Sequence, residues 1–337
     1  MNFEDKQSDR KKDVIAILAI ILLGVLSVLL LIILLSRDTA DAVSPLQRRE
    51  AMKLYEIAYD SLGRLYNNQD DITVYIRENG VWEPFLVLEA SYPGEGNGGT
   101  LLLRRYLIQE RRPWLSSEDR QKRVGPTLVR PVGRDGRRDF RYYPANSIDI
   151  WLETEYIQVF SESMQERILI TNVEVWDGWD HGRLGANRNV TVIETVPRRI
   201  FLLSENEVGW VGPRRRRPSR AVEGEPIAYF YPGWRYGDWQ TRERLRFSRR
   251  AATLRYEYTG ELTHVERWEE RPRYSWWLRS VRWTTVTGTI AVIAESGHLY
   301  IQVHSNDPFV RPAFTLPRDT IIERYEVNGR HVYVIHD

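Results

Sequence analysis

The sequence predicts an α+β chain, with mixed and antiparallel sheets and two helices, preceded by one transmembrane helix. Three observations predict this. Residues 14–35 form an unbroken apolar run. Residues 147–160 and 161–169 carry apolar side chains at helical spacing, the second set behind a capping-box-like start. The stretch 273–316 is a series of β-branched and aromatic runs bounded by Gly, Asn, Asp and Pro, which reads as three or four short strands joined by tight turns.

Taken in order, residues 1–13 are polar, with acidic and basic side chains mixed. The apolar run that follows has only Ala16, Ala19, Gly24 and Ser27 as softer members. As a helix it spans about 33 Å, enough to cross the hydrocarbon core of a bilayer. It is longer than most secretory apolar regions, and the sequence after it has little small-residue cleavage pattern, so an uncleaved anchor is expected. Arg10, Lys11 and Lys12 cluster directly before the run and favour a cytoplasmic N-terminus.

Ser44 is an N-cap candidate for a helix from Pro45 to Asn67, either a stalk or the first helix of the domain. Residues 72–76 and 81–88 read as a hairpin around Asn79-Gly80, and residues 100–108 as a further strand. Gly94, Gly96, Gly98 and Gly99 form a turn and not a phosphate loop, since no Lys-Ser/Thr follows. Residues 109–146 read as a long irregular excursion with one short helix near 117–122. After the helical pair come a Trp/Asp/Gly loop, a strand at 199–207 that runs into a capped helix start, and a loop-rich tract at 208–240. The tail from Thr320 holds one more strand pair around Val327-Asn328-Gly329.

Composition bounds the chemistry. A net charge of +2 gives no general argument for nucleic-acid binding. Lys occurs only at 6, 11, 12, 53 and 122, so nearly all of the 48 basic residues are Arg, which we read as codon bias in a GC-rich genome. The absence of Cys excludes disulfides, Cys-ligated zinc, iron–sulfur clusters and thiol nucleophiles. None of the six His falls in His-x-x-x-His or His-Glu-x-x-His spacing. His298 and His304 flank one short strand, about 20 Å apart if extended. Asp177, Asp180 and His181 offer three ligands where Ca²⁺ takes six to eight oxygens, so the loop at 176–185 is read as a structural turn. No Gly-x-Ser-x-Gly elbow is present, and Glu269-Glu270 lies in a charged loop. No metal, cofactor or catalytic residue is assigned. The densest basic run, Arg214, Arg215, Arg216 and Arg217, stands near interleaved aromatics and is the candidate polyanion-binding segment, suited to an acidic glycan or teichoic acid.

Motif order adds a resemblance. Trp276-Trp277-Leu278-Arg279-Ser280, a meander broken by Gly288 and Gly297, and then Val310-Arg311-Pro312-Ala313-Phe314 resemble the C-terminal signature of a bacterial domain family of unknown function. Ser147 to Leu152, Phe160-Ser161 through Ile168, and Arg199-Ile200-Phe201-Leu202-Leu203-Ser204 ending at Glu207 are similar to further segments of it, in the same order. Leu101 to Arg105 matches only loosely. The resemblance spans about residues 72–316 and implies a C-type-lectin-like fold related to the formylglycine-generating type. The oxidase chemistry of that type depends on cysteines and is excluded here. In lectin-like folds the late strands form the recognition face. The resemblance therefore points to Trp283, Thr284, Thr285, His298, Tyr300, Gln302, His304, Asn306 and Asp307 as ligand-binding candidates.

The expected organisation is a cytoplasmic tail (1–13), a transmembrane helix (14–35), a juxtamembrane helical stalk (36–69) and an extracytoplasmic lectin-like domain (70–337) on a bacterial cytoplasmic membrane. The expected function is non-catalytic recognition of a protein or glycan, with membrane and no nucleic acid as partner. A structural subunit of a membrane-associated envelope complex and an envelope-polymer enzyme are the alternatives.

Overall fold

Asn79 and Gly80 both take positive φ, 49° and 80°, which is the geometry of a two-residue hairpin turn. They join β2 (Thr73–Glu78) to β3 (Val81–Tyr92), as the sequence led us to expect. The computed structural model describes residues 48–58, 73–93, 98–114, 146–176, 193–209, 223–227, 229–230, 249–251, 273–283, 288–303, 308–327 and 330–336. All of them belong to one unit, Arg48–Asp337. The transmembrane helix and cytoplasmic tail of the sequence reading lie outside the described residues, as do the loop at 177–185 and most of the excursion at 109–146. Among the described residues no helix is long and apolar enough to cross a membrane.

The other strands are β1 (Arg48–Lys53), β4 (Gly99–Arg104), β5 (Thr171–Trp176), β6 (Ile193–Arg198) and β7 (Ile200–Phe201). The C-terminal part adds β8 (Trp276–Trp283), β9 (Gly288–Ile293), β10 (Leu299–Val303), β11 (Ala313–Leu316), β12 (Ile321–Val327) and β13 (Arg330–Val334). Eight strands form one sheet in the order β1-β12-β13-β2-β3-β4-β11-β7; β10-β9-β8 form a second sheet and β5-β6 a third. The large sheet is mixed: β13 runs parallel to β2, with Tyr333 opposite Val74, and its other pairs are antiparallel. Among the described residues there are two α-helices, α1 (Ser147–Thr154) and α2 (Glu162–Arg167), and the fold is α+β.

Both helices start where capping chemistry places them. Asn146 accepts from the Asp149 amide at 2.7 Å, and Ser161 from the Met164 amide at 3.2 Å. The expected helix at 147–160 stops at Thr154 and continues as a 3-10 turn, Tyr156–Val159. The juxtamembrane stalk needs a larger correction. Residues 48–53 are not helical but form β1, paired with β12, followed by a 3-10 turn at Leu54–Ile57. Leu54 and Ile57 are buried, and the Leu54 amide donates to the Thr320 carbonyl at 2.8 Å. Pairing with the outer edge of β12 supplies backbone partners that outweigh an imperfect local helical period. The remainder of 36–69 lies outside the described residues. The β5–β6 hairpin, by contrast, was not anticipated. The intervening Trp/Asp/Gly loop hides its period, and Pro197 is a residue that strands tolerate only at edges.

Central strands β3 and β4 are apolar on both faces, which explains their unbroken runs Phe85-Leu86-Val87-Leu88 and Leu101-Leu102-Leu103. Phe85, Val87 and Leu102 face a core shared with both helices, where Phe314 packs edge-on to Phe85 (5.2 Å) and Phe160 (5.3 Å). Leu86, Leu88, Leu101 and Leu103 face a second core with Phe201, Leu203 and Leu278. Trp276 and Trp277 divide between the two, Trp276 in the second core and Trp277 in the first. Each buried indole finds a carbonyl: Trp276 Nε1 donates to Arg249 at 3.0 Å, Trp277 Nε1 to Arg112 at 2.7 Å.

Replacing Trp277 by Ala removes a fully buried ring and leaves the Arg112 carbonyl without its donor. The expected loss is about 3–5 kcal/mol, measured by urea unfolding followed by fluorescence.

Candidate functional site

Arg279 sits on β8 inside an apolar segment and is fully buried. A guanidinium there requires a carboxylate, because an unpaired buried charge is not tolerated. Glu207 supplies it: Nη2 donates to Oε1 and Nη1 to Oε2, both at 2.6 Å. Further Arg279 donors reach the Leu202 carbonyl (2.7 Å) and the Glu174 carbonyl (2.9 Å). Burial alone would pull the Arg279 pKa down; the carboxylate of Glu207 more than reverses this and holds it above its ordinary value.

Glu207 is positioned by the turn after β7. Its amide donates to Ser204 Oγ at 3.1 Å, and its Oε2 accepts from the Ser204 amide at 2.8 Å, a reciprocal capping box. The cap expected at 204–207 is therefore present, but it closes a turn ending at Gly209 and opens no helix. Tyr92 on β3 donates to Glu207 Oε1 at 2.5 Å, and burial followed by the charge of Glu207 pushes the Tyr92 phenol well up. Ser280 links in as well, donating to Glu223 and accepting from the Glu205 amide at 2.9 Å. Gly224, at φ 73°, lies where a Cβ would run into the Glu207 carboxylate.

One acidic group of this region stands apart. Between Val87↔Leu102 and Glu89↔Leu101 the β3–β4 register shifts by one residue, a bulge that turns Glu89 to the side of Leu101 and the second core. Half-burial, and then the charge of Glu207, push the Glu89 pKa from its ordinary value up to about 7.

A second buried arginine performs a similar task. Arg104 on β4 meets Glu78 at 3.0 Å and Glu83 at 2.8 Å, and Tyr156 donates to the same Glu78 at 2.5 Å. Arg311 donates to the carbonyls of Arg104 (2.8 Å) and Arg105 (3.3 Å) and lies 5.1 Å from the Trp276 ring centroid. Motif residues Arg279, Ser280, Ser204, Glu207 and Arg311 thus all work inside the fold.

Three of the ligand-binding candidates, Trp283, Tyr300 and Gln302, fall on strands of the small sheet. Tyr300 pairs with Val292, which also pairs with Trp277, and Gln302 pairs with Ile290, which also pairs with Val281. Trp283 closes β8 opposite Gly288. Tyr300 lies on the outermost strand and is 58% exposed. His298 is exposed at the turn before β10, where its carbonyl accepts from the Ala294 amide at 2.8 Å. Thr284, Thr285, His304, Asn306 and Asp307 lie outside the described residues, as do Arg214–Arg217. Among the described residues no group of three or more His, Asp or Glu is arranged to hold a metal ion. A shallow cleft of about 400 Å³ lies elsewhere, lined by Arg167, the turn Pro317–Ile321, Glu323 and His336.

The sequence reading missed Glu89, Tyr92 and Glu223 altogether, and quoted Glu207 and Arg279 only as motif letters. A signal existed for the last two: Arg279 stands between Leu278 and Ser280 after two Trp, and Glu207 stands three residues after Ser204, the spacing of a capping box. Arg279→Met strands Glu207 as an unpaired buried charge and is expected to cost about 3–5 kcal/mol in urea unfolding. Arg279→Met with Glu207→Leu removes both charges and is expected to regain part of that loss.

Neither the curated proteins nor the solved structures gave a match to this chain. A family model does match, over residues 97–318. That span runs from β4 to β11, and the strands outside it, β1, β12, β13, β2 and β3, are contiguous at one side of the large sheet. The order of elements and the motif residues gathered on Arg279 belong to the matched span, and the chain is a member of the family described as a domain of unknown function, DUF6273.

Proposed function

We propose that the chain is a membrane-anchored recognition protein, held by residues 14–35 with its N-terminus in the cytoplasm, whose C-terminal unit binds a protein or glycan outside the cytoplasmic membrane without catalysis. The observation that carries this reading is Tyr300. A large aromatic ring, 58% exposed, stands on an outer strand beside the fully buried residues Ile290 to Ile293 of β9, and the buried charge of Arg279 on β8 is committed to Glu207. Exposed aromatic side chains on a rigid strand suit stacking on sugars or packing on a protein surface. The C-type-lectin-like arrangement implied by the motif order is part of the same proposal, supported by the α+β content and by the meeting of two motifs at Arg279 and Glu207. An experimental structure that fails to superimpose on lectin-fold domains from β4 to β11 removes it.

The full chain in lipid nanodiscs, applied to glycan and cell-wall-polymer arrays at low and high salt, tests the function. Binding that persists at high salt and falls at least tenfold in Tyr300→Ala is the expected result, with unchanged unfolding as control. Binding that vanishes equally with salt in both proteins assigns affinity to the Arg clusters. Absence of binding leaves the structural-subunit alternative. The membrane orientation is tested separately by a periplasmic alkaline phosphatase reporter fused to the C-terminus, which is expected to be active.

A further inference from the structure

We propose that Glu89 is a proton-operated latch: protonated, it lets the second core close on the Glu207–Arg279 pair, and ionised it repels Glu207 and loosens the seating of β8 against β3 and the turn after β7. This goes beyond the recognition reading and does not depend on it.

The geometry carries the argument. The bulge at Val87–Glu89 re-aims a carboxyl that regular alternation would send to the other face, and it sends it to the side holding another carboxylate. Among the described residues, the polar cluster on that side is built from Tyr92 of β3, Glu207 of the turn after β7 and Arg279 of β8, with Glu174, Glu223 and Arg249 bonded around them. Among these described residues two are cations, and each is engaged elsewhere. Arg279 spends its paired Nη donors on Glu207 and others on the Leu202 and Glu174 carbonyls. Arg249 donates to the carbonyls of Val208 (2.6 Å) and Gly209 (2.8 Å). Among the described residues the Glu89 carboxyl has no hydrogen bond or ion pair. Its ionised form is therefore opposed both by lost hydration and by Glu207, in agreement with a pKa raised to about 7.

The sign follows from linkage. An unfolded Glu89 loses its proton near its ordinary value of 4.5, whereas the folded protein retains it to about 7. The stabilisation is fully present below 4.5, declines as pH rises from there to about 7, and is level above that.

The test uses the full chain in nanodiscs and the variant Glu89→Gln, which keeps the shape and cannot ionise. Urea midpoints between pH 4.5 and 8 are expected to fall more in the wild type than in the variant. Hydrogen exchange at the amides of 276–280, corrected for its intrinsic pH dependence, is expected to accelerate at least about tenfold between pH 6 and 8 in the wild type only. Parallel pH profiles for the two proteins overturn the proposal. Should the variant not fold, infrared titration of the wild type decides: a protonated-carboxyl band that disappears around pH 7 supports the latch. A band that is absent at pH 6 or persists at pH 8 overturns it.

Discussion

Everything on the second-core side of the large sheet depends on one enclosed charge pair. Arg279 and Glu207 are both inaccessible to water, and each would be prohibitive to bury alone. Because the guanidinium binds both carboxylate oxygens and two carbonyls, it ties β8 to the turn after β7 and to β5 in one geometry. Such a pair adds little net stability over a well-packed apolar replacement. Its effect is selectivity among packings, since a slipped β8 would leave two charges unmatched. Gly224 and the Ser204–Glu207 capping box are consequences of it: the first makes room for the carboxylate and the second aims it.

The same device recurs where the family-matched part of the sheet joins the strands outside it. Arg104 belongs to β4, at the start of the matched span, while Glu78 and Glu83 belong to β2 and β3. Tyr156, from the 3-10 turn after α1, completes the contact with Glu78. Tyr92 makes a comparable link on the other face, from β3 to Glu207. The five contiguous strands outside the matched span are therefore joined to it by polar contacts within apolar surroundings as well as by the β3–β4 ladder. This arrangement gives the added strands a single register.

Much of the fold was legible in the sequence because the relevant physics is local. Asn79-Gly80 and the Val327-Asn328-Gly329 segment announce hairpins through turn chemistry, and Asn146 and Ser161 stand where orphan helix amides need acceptors. Two elements were not legible for the same reason. Residues 48–53 had no local signal for their partner β12, which lies at the other end of the chain. The paired strands β5 and β6 are separated in the sequence by more residues than either strand contains. At the candidate site, Tyr300 was singled out by what the family resemblance implies about the late strands, and it stands exposed. Glu89 gave no such sign, because its direction is set by a bulge that only the register with β4 reveals.

By itself the sequence determined many of the strands and both described helices, where several of them begin, and that no cysteine chemistry operates here. These follow from propensity, periodicity, turn residues and composition, all of which act over a few neighbours. Tertiary structure alone decided that adjacent Trp276 and Trp277 serve different cores, that β11 leaves the small sheet to pair with β4 and β7, and that Arg279 finds Glu207. The two partners are 72 residues apart, and no short-range rule links them. What links them is the exclusion of water, which makes an unpaired charge intolerable and leaves one arrangement in which each is matched.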